Sequence, residues 1–220
     1  MIVSERFVTF VNSLNRGNTE LLNEIERQAL ESDVPVIRKE TQSCLKLFLA
    51  IKKPQRILEV GTAVGFSAIL MKTYNPVDCK ITTIENYGKR IEAAHANLKR
   101  AGMEEDITLV EEDAAQALQQ LSGTYDFVFM DAAKGQYLSY LPHVLRLLSD
   151  DGLLISDNIL QDGDIIESRY AVKRRNRTIH KRMRNYLYEL THHELLTTAV
   201  LPVGDGIAVS SRCDRKDKGK

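Results

Sequence analysis

Four residues near the middle of the chain have the types and spacing to hold a hard cation beside a reacting hydroxyl: Asp131, Lys134, Asp157 and Asn158. Asp131 opens the run Asp131-Ala132-Ala133-Lys134-Gly135-Gln136-Tyr137, directly after the apolar stretch Tyr125–Met130. Asp157-Asn158 closes a second apolar stretch, Gly152–Ser156. Two carboxylates and an amide oxygen form an all-oxygen donor set, suited to Mg²⁺ and wrong for zinc. Such a set leaves about three octahedral positions for water and substrate. A cation chelated by two vicinal substrate oxygens lowers the pKa of the hydroxyl among them. Lys134 can then stabilise that oxygen or take its proton. Tyr137 reads equally as a pocket wall and as a core residue.

A second stretch, Arg56-Ile57-Leu58-Glu59-Val60-Gly61-Thr62-Ala63-Val64-Gly65-Phe66-Ser67, binds rather than reacts. A short strand passes through a glycine-spaced turn into a helix, which presents backbone N–H groups and a helix dipole to a ligand. The spacing Gly61-x-x-x-Gly65 lacks the third glycine of a dinucleotide fingerprint. Glu59 also suits a pyrophosphate badly, but it suits a ligand carrying a cationic amino acid group, such as S-adenosylmethionine. The bland alternative is a tight turn with no ligand. Acids recur at the ends of successive predicted strands: Glu59, Glu85, Asp113, Asp131 and Asp157. In an open parallel sheet that edge binds ligands. Glu85, 24 residues after Gly61, is placed to accept from ribose hydroxyls. Asp113-Ala114 would flank the adenine ring, with a helix cap as the alternative reading of Asp113.

Glu59-x-Gly61-Thr62-Ala63-x-Gly65-Phe66-Ser67 resembles the first motif of the class I methyltransferases. The pairing of Asp131 and Lys134 with Asp157-Asn158, and Val203-Gly204-Asp205-Gly206-Ile207 near the end, resembles the cation-dependent O-methyltransferases of the catechol and caffeoyl-CoA type. The resemblance runs from about Val34 to Arg212. It implies S-adenosylmethionine held by Ile37, Glu59, Gly61, Thr62, Gly65, Ser67, Glu85, Asp113, Ala114 and Asp131. It implies Mg²⁺ or another hard cation on Asp131, Asp157 and Asn158, with Lys134 and Asp131 catalytic. It also implies seven strands, a reversed last strand and a homodimer.

The segment Arg169–Arg184 carries eight Lys/Arg residues and no acid, leaving 22 basic residues against 30 acidic ones elsewhere. Lys173, Arg174, Arg175, Arg177, Lys181 and Arg184 are candidates for a phosphate backbone, and Arg177, Lys181 and Arg184 share a helical stripe. A solvated face is the plain alternative. Small-molecule members of the family need no such cluster, and the chain resembles the bacterial tRNA 5-hydroxyuridine methyltransferases. The 5-hydroxyl and C4 carbonyl of that base can chelate a metal as a catechol does. The sequence reading is therefore methylation of wobble 5-hydroxyuridine in tRNA to 5-methoxyuridine. Small catechol-like phenols or acyl-CoA esters are the alternative substrates. A non-catalytic tRNA-binding protein retaining the methyl donor is the alternative of another class, and intact Asp131, Lys134, Asp157 and Asn158 argue against it.

Positioning these residues calls for an α/β fold, a Rossmann-like doubly wound sheet of the class I methyltransferase kind. From Arg56 onward apolar strands alternate with helical patterns, which implies a parallel sheet covered on both faces. The expected division is one domain over 1–220: N-terminal helices to 52, the donor-binding core over 53–212, and a disordered tail over 213–220. Phe7, Phe10, Val11 and Leu14, then Leu21, Leu22, Ile25 and Ala29, recur at helical spacing. A helix is expected over Lys39–Ile51, and Ile179, Met183, Leu187 and Leu190 should pack a late helix on the body. With 43% hydrophobic and 27% charged residues, the composition is that of a globular protein. No apolar run approaches the ~20 residues of a membrane helix, no signal peptide is evident, and three scattered cysteines point to a reducing cytoplasm.

Overall fold

The computed structural model describes residues 3–213, so residues 214–220 of the expected tail lie outside the described residues. Along the first strand, β1 (Arg56–Val60), Ile57 packs into one core while Leu58 and Val60 pack into another. β4 (Tyr125–Met130) divides the same way, Phe127 and Phe129 against Val128 and Met130. Successive strand side chains point to opposite faces, so strands apolar on both must be covered on both. Helices α2 (Glu20–Glu31), α3 (Lys39–Lys52), α4 (Phe66–Tyr74) and α5 (Gly88–Ala101) supply one cover. Helices α6 (Ala114–Gln120), α7 (Tyr137–Leu147) and α8 (Arg177–His192) supply the other.

The remaining strands are β2 (Lys80–Glu85), β3 (Ile107–Glu111), β5 (Leu148–Ser156), β6 (Leu196–Leu201) and β7 (Ile207–Arg212). The sheet order is β3-β2-β1-β4-β5-β7-β6, with β7 antiparallel to both neighbours. Seven strands and a reversed last strand match the expectation. β6 and β7 pair as a hairpin around Val203–Gly206, with β7 inserted between β5 and β6. The chain winds outward from β1 through β2 and β3, then returns to β4 on the other side of β1. That reversal opens a crevice at the carboxyl ends of β1 and β4, where open α/β sheets bind ligands.

Three elements differ from the sequence reading. β5 begins at Leu148 rather than Gly152, with a register shift opposite Tyr125–Phe127. The buried face of α8 is His180, Met183, Tyr186 and Leu190, while Ile179 is exposed. A stripe drawn from aliphatic residues alone overlooks rings that bury their bodies and satisfy their polar tips; Tyr186 does so through Ser156 Oγ at 2.6 Å. α1 (Glu5–Ser13) buries none of its residues, and Phe7, Phe10 and Leu14 are 57%, 60% and 67% exposed. No helix among the described residues is long and apolar enough to cross a membrane.

Tyr137, at the start of α7, is fully buried and belongs to the core. Its hydroxyl lies 3.2 Å from Met130 O and 3.1 Å from Asp157 O, and it accepts from Ala132 N at 3.2 Å. One phenol thus ties the end of β4 to the end of β5. Tyr137→Phe should lower the unfolding free energy by about 1–3 kcal/mol, the cost of stranding buried backbone groups. Urea denaturation measures it, and an unchanged midpoint would show that those groups have other partners.

Candidate functional site

The glycine turn after β1 is held from four sides. Gly61 and Thr62 donate their N–H groups to Ile84 O, Ala63 donates to Glu85 Oε2 at 3.1 Å, and Gly65 donates to Thr62 O. Gly61 (φ +93°) and Gly65 (φ +84°) occupy left-handed conformations that favour glycine. With those N–H groups engaged inside the protein, the turn is a poor phosphate cradle. That agrees with the missing third glycine. Behind the turn, Asn97 Nδ2 donates to Val64 O at 2.9 Å.

In front of it lies a cavity of about 720 Å³. Of the residues expected to bind the donor, Ile37, Gly61, Thr62, Ser67, Glu85, Asp113, Ala114 and Asp131 line it, and so do Lys134 and Asn158. Glu85 receives the N–H groups of Asn86 and Tyr87 on Oε1, at 2.9 and 3.0 Å, besides that of Ala63 on Oε2. A carboxylate has about four acceptor positions, so Glu85 both braces the turn and keeps room for a ribose hydroxyl. Asp113 fills both of its candidate roles, accepting from Ala115 N at 2.9 Å as the cap of α6 while facing the cavity.

Glu59 departs from the sequence reading. It is not in the turn but within β1, in register with Thr83, fully buried and off the cavity wall. Gly65 likewise lies behind the wall. Burial raises the Glu59 carboxyl to about 7, against the pull of the Ser67, Thr62 and Thr83 hydroxyls. Thr83 Oγ1 donates to Glu59 Oε2. Glu59 Oε1 and Thr62 Oγ1 complete no hydrogen bond of proper geometry among the described residues. Unpaired buried polar atoms beside a ligand cavity are a place for a ligand's polar group. Thr62 is on the wall and can meet it directly, with Glu59 supporting the turn from beneath.

At the far side of the cavity the ends of β4 and β5 bring Asp131, Asp157 and Asn158 together. Asn158 adopts a left-handed conformation (φ +58°), one that asparagine tolerates. Its Nδ2 meets Asp131 Oδ1 at 3.3 Å, and its N–H donates to Asp157 Oδ1 at 2.7 Å. Burial raises both carboxyls above the usual carboxylate range. The charge of Asp131 pushes Asp157 further, while Lys134 and the Asn158 amide draw Asp131 back. Two acids strained toward protonation, with an amide beside them, fit a hard divalent cation, which relieves that strain. Among the described residues no three His, Cys, Asp or Glu side chains are placed to hold a metal ion together, so the donor set here is two carboxylates with the Asn158 amide. Asp157 is 2% exposed and off the cavity wall.

Lys134 Nζ reaches Asp205 Oδ2 at 3.3 Å. Arg182 Nη1 donates to Gly135 O at 3.0 Å, so α8 sits against the turn that carries Lys134. The sequence reading gave neither Asp205 nor Arg182 a part in the site; only the Val203–Ile207 motif hinted at the first. The six expected phosphate-binding residues all lie off the cavity wall. Arg177 donates to Val172 O and Tyr170 O, and Arg184 donates to Ile165 O and Glu167 O. Both fasten the preceding loop to α8. Lys173, Arg174, Arg175 and Lys181 are exposed.

An O-methyltransferase family model matches residues 12–213. A caffeoyl-CoA O-methyltransferase of Stellaria longipes is 31% identical over 176 residues, 76% of this chain and 72% of that protein. A catechol O-methyltransferase of Niastella koreensis is 32% identical over 127 residues, 56% of this chain and 58% of that one. Among solved structures, an SAH-bound methyltransferase of Podospora anserina superposes with a TM-score of 0.85 at 24% identity. That match covers 96% of this chain and 95% of the other.

The raised Glu59 carboxyl has a consequence for stability. A carboxyl whose folded pKa exceeds its unfolded value binds its proton more tightly when folded. Its favourable contribution is complete below the unfolded value of 4.5 and is lost as pH rises to about 7. Glu59→Gln should therefore be more stable than the parent at pH 8 by up to about 2–3 kcal/mol, with little difference near pH 4. Denaturant titrations of both proteins across that window measure it, and parallel curves would place the Glu59 carboxyl at an ordinary pKa.

Proposed function

The chain belongs to the O-methyltransferase family, and from that premise we propose that it transfers the methyl group of S-adenosylmethionine to a hydroxyl flanked by a second oxygen, with Mg²⁺ or another hard divalent cation. The carrying observation is that one cavity is bounded both by the braced glycine turn and by the ends of β4 and β5 with Asp131, Asn158 and Lys134. The relatives named for caffeoyl-CoA and catechol support a catechol-like phenol or an acyl-CoA phenol as the acceptor. The SAH carried by the Podospora protein, the demethylated form of the donor, supports the choice of donor.

Asp131, Asp157 and Asn158 hold the cation, whose contribution is to lower the pKa of a chelated hydroxyl. The glycine turn, Thr62 and Glu85 fix the donor, and the cavity aligns it with the hydroxyl oxygen, so proximity and orientation supply much of the rate. The acidified hydroxyl gives its proton to water, and as the resulting oxyanion bonds to the methyl carbon, the sulfur–carbon bond breaks with its electron pair left on sulfur. The ammonium of Lys134, already the cationic half of an ion pair, stabilises the oxyanion at the moment of attack. A homodimer belongs to the same reading, supported by the apolar residues that α1 leaves exposed.

One observation favours a second reading, 5-hydroxyuridine in tRNA. Lys173, Arg174, Arg175 and Lys181 stand exposed on and just before α8, the helix that Arg182 joins to the Lys134 turn. Polyphosphate is a fitting partner for such a surface. Incubating the protein with donor and Mg²⁺ against catechol, caffeoyl-CoA and tRNA, with mass spectrometry of the products, decides among them.

Two further outcomes are expected. Asp157→Ala abolishes turnover while calorimetry still shows donor binding, and excess EDTA does the same to the parent. Full activity in EDTA would remove the cation from the mechanism. Charge reversal at Lys173, Arg174 and Arg175 raises the apparent KM for tRNA and flattens its log–log salt dependence by about 2 to 3 units, at roughly 0.7–0.9 per phosphate contact. Methylation of free catechol stays the same. Normal tRNA methylation across a salt series would leave the small-molecule reading alone.

A further inference from the structure

The turn between β6 and β7 enters the site through a single side chain. Asp205 is 3% exposed, and both of its carboxylate oxygens are engaged. Oδ2 accepts from Lys134 Nζ at 3.3 Å, and Oδ1 accepts the N–H of Asp162. Its main-chain carbonyl accepts from Leu160 N at 3.0 Å, and Gly206 O accepts from Ile159 N at 3.1 Å. The fit is tight, since a Cβ on Gly206 would meet Leu160. The segment docked in this way begins one residue after Asn158. Asp162 in turn pairs with Arg38 at 2.9 Å, next to Ile37 on the cavity wall.

A lysine side chain is long and has many rotamers, so a lysine at a cavity wall does not stay where chemistry needs it unless something holds it. Lys134 is held twice, its turn by Arg182 at Gly135 O and its ammonium by Asp205. Each oxygen of Asp205 meets one N–H donor, the Lys134 ammonium on Oδ2 and Asp162 N on Oδ1. We propose that Asp205 is the positioning residue of Lys134, fixing the ammonium at the cavity wall and joining it to the loop that follows Asn158. The inference rests on the reading of Lys134 as the group that faces the accepting oxygen.

The test is Asp205→Asn, which keeps the shape and an acceptor for Asp162 N but removes the charge. The first readout needs no substrate. Reductive dimethylation with formaldehyde and borohydride, followed by peptide mass spectrometry, should label Lys134 several-fold faster in the variant, with Lys52 and Lys72 unchanged. Equal labelling of Lys134 in the two proteins overturns the proposal. Should Asp205→Asn fail to fold, the smaller Asp205→Ser gives the same comparison. The second readout is kinetic. Asp205→Asn should lower kcat about ten- to a hundredfold, the loss of one charge-assisted hydrogen bond, with the KM for the donor unchanged. In a Lys134→Met background the same change should cost nothing further, whereas an equal cost in both backgrounds would assign Asp205 a purely structural role. If the parent methylates none of the three acceptors, it is the proposed function that has failed, and the labelling result still decides the place of Asp205.

Discussion

No side chain fits between the glycine turn and the end of β4. A Cβ on Gly61 would lie 2.3 Å from the carbonyl oxygen of Asp131. The contact follows from strand pairing: β1 and β4 run parallel with Val60 opposite Met130, and Asp131 N donates to Val60 O at 3.0 Å. The glycine turn at the cavity and the backbone of Asp131 are thereby pressed together. Methyl transfer needs that closeness, because the reacting atoms must start within about 3–3.5 Å. Asn97 behind the turn and Glu85 beside it keep the backbone from relaxing away.

The site is electrostatically unfinished. Glu59 and Asp157 are buried and Asp131 is half-buried at the cavity wall, and desolvation lifts each toward its neutral form. The cation nearest to them, Lys134, is shared with a fourth carboxylate, Asp205. Ligands that bring positive charge, a sulfonium or a divalent ion, are the natural complement of such a surface. Protein chemistry and ligand chemistry are matched through the same imbalance.

Much of this was legible in the sequence because it is written locally. An apolar run that stops at an acid marks a strand end, and the apolar stretch Tyr125–Met130 before Asp131 is β4. Gly61 and Gly65 announce a turn wherever they occur, and Asp113 announces a cap. The reversal of the last strand came from family resemblance, and its place between β5 and β6 came only from the structure, since periodicity says nothing of strand order. What stayed hidden depends on distant pairing. Glu59 reads as part of the turn until β2 places Thr83 against it. Arg177 and Arg184 read as a phosphate stripe until the loop before α8 offers them backbone carbonyls. Asp205 lies 71 residues from Lys134, and no spacing rule links them.

The insertion of β7 also sets an order of events during synthesis. Residues up to Asn158 contain every residue of the cavity wall, and Asp157 beside it. They emerge from the ribosome before β6 and β7, and β7, the last strand to emerge, must enter between β5 and β6 to close the sheet. A nascent chain can therefore hold a nearly complete pocket while Lys134 still has no carboxylate partner and β5 still has an open edge. The exposed edge of β5 is then where such a chain would be caught by chaperones or by another copy of itself.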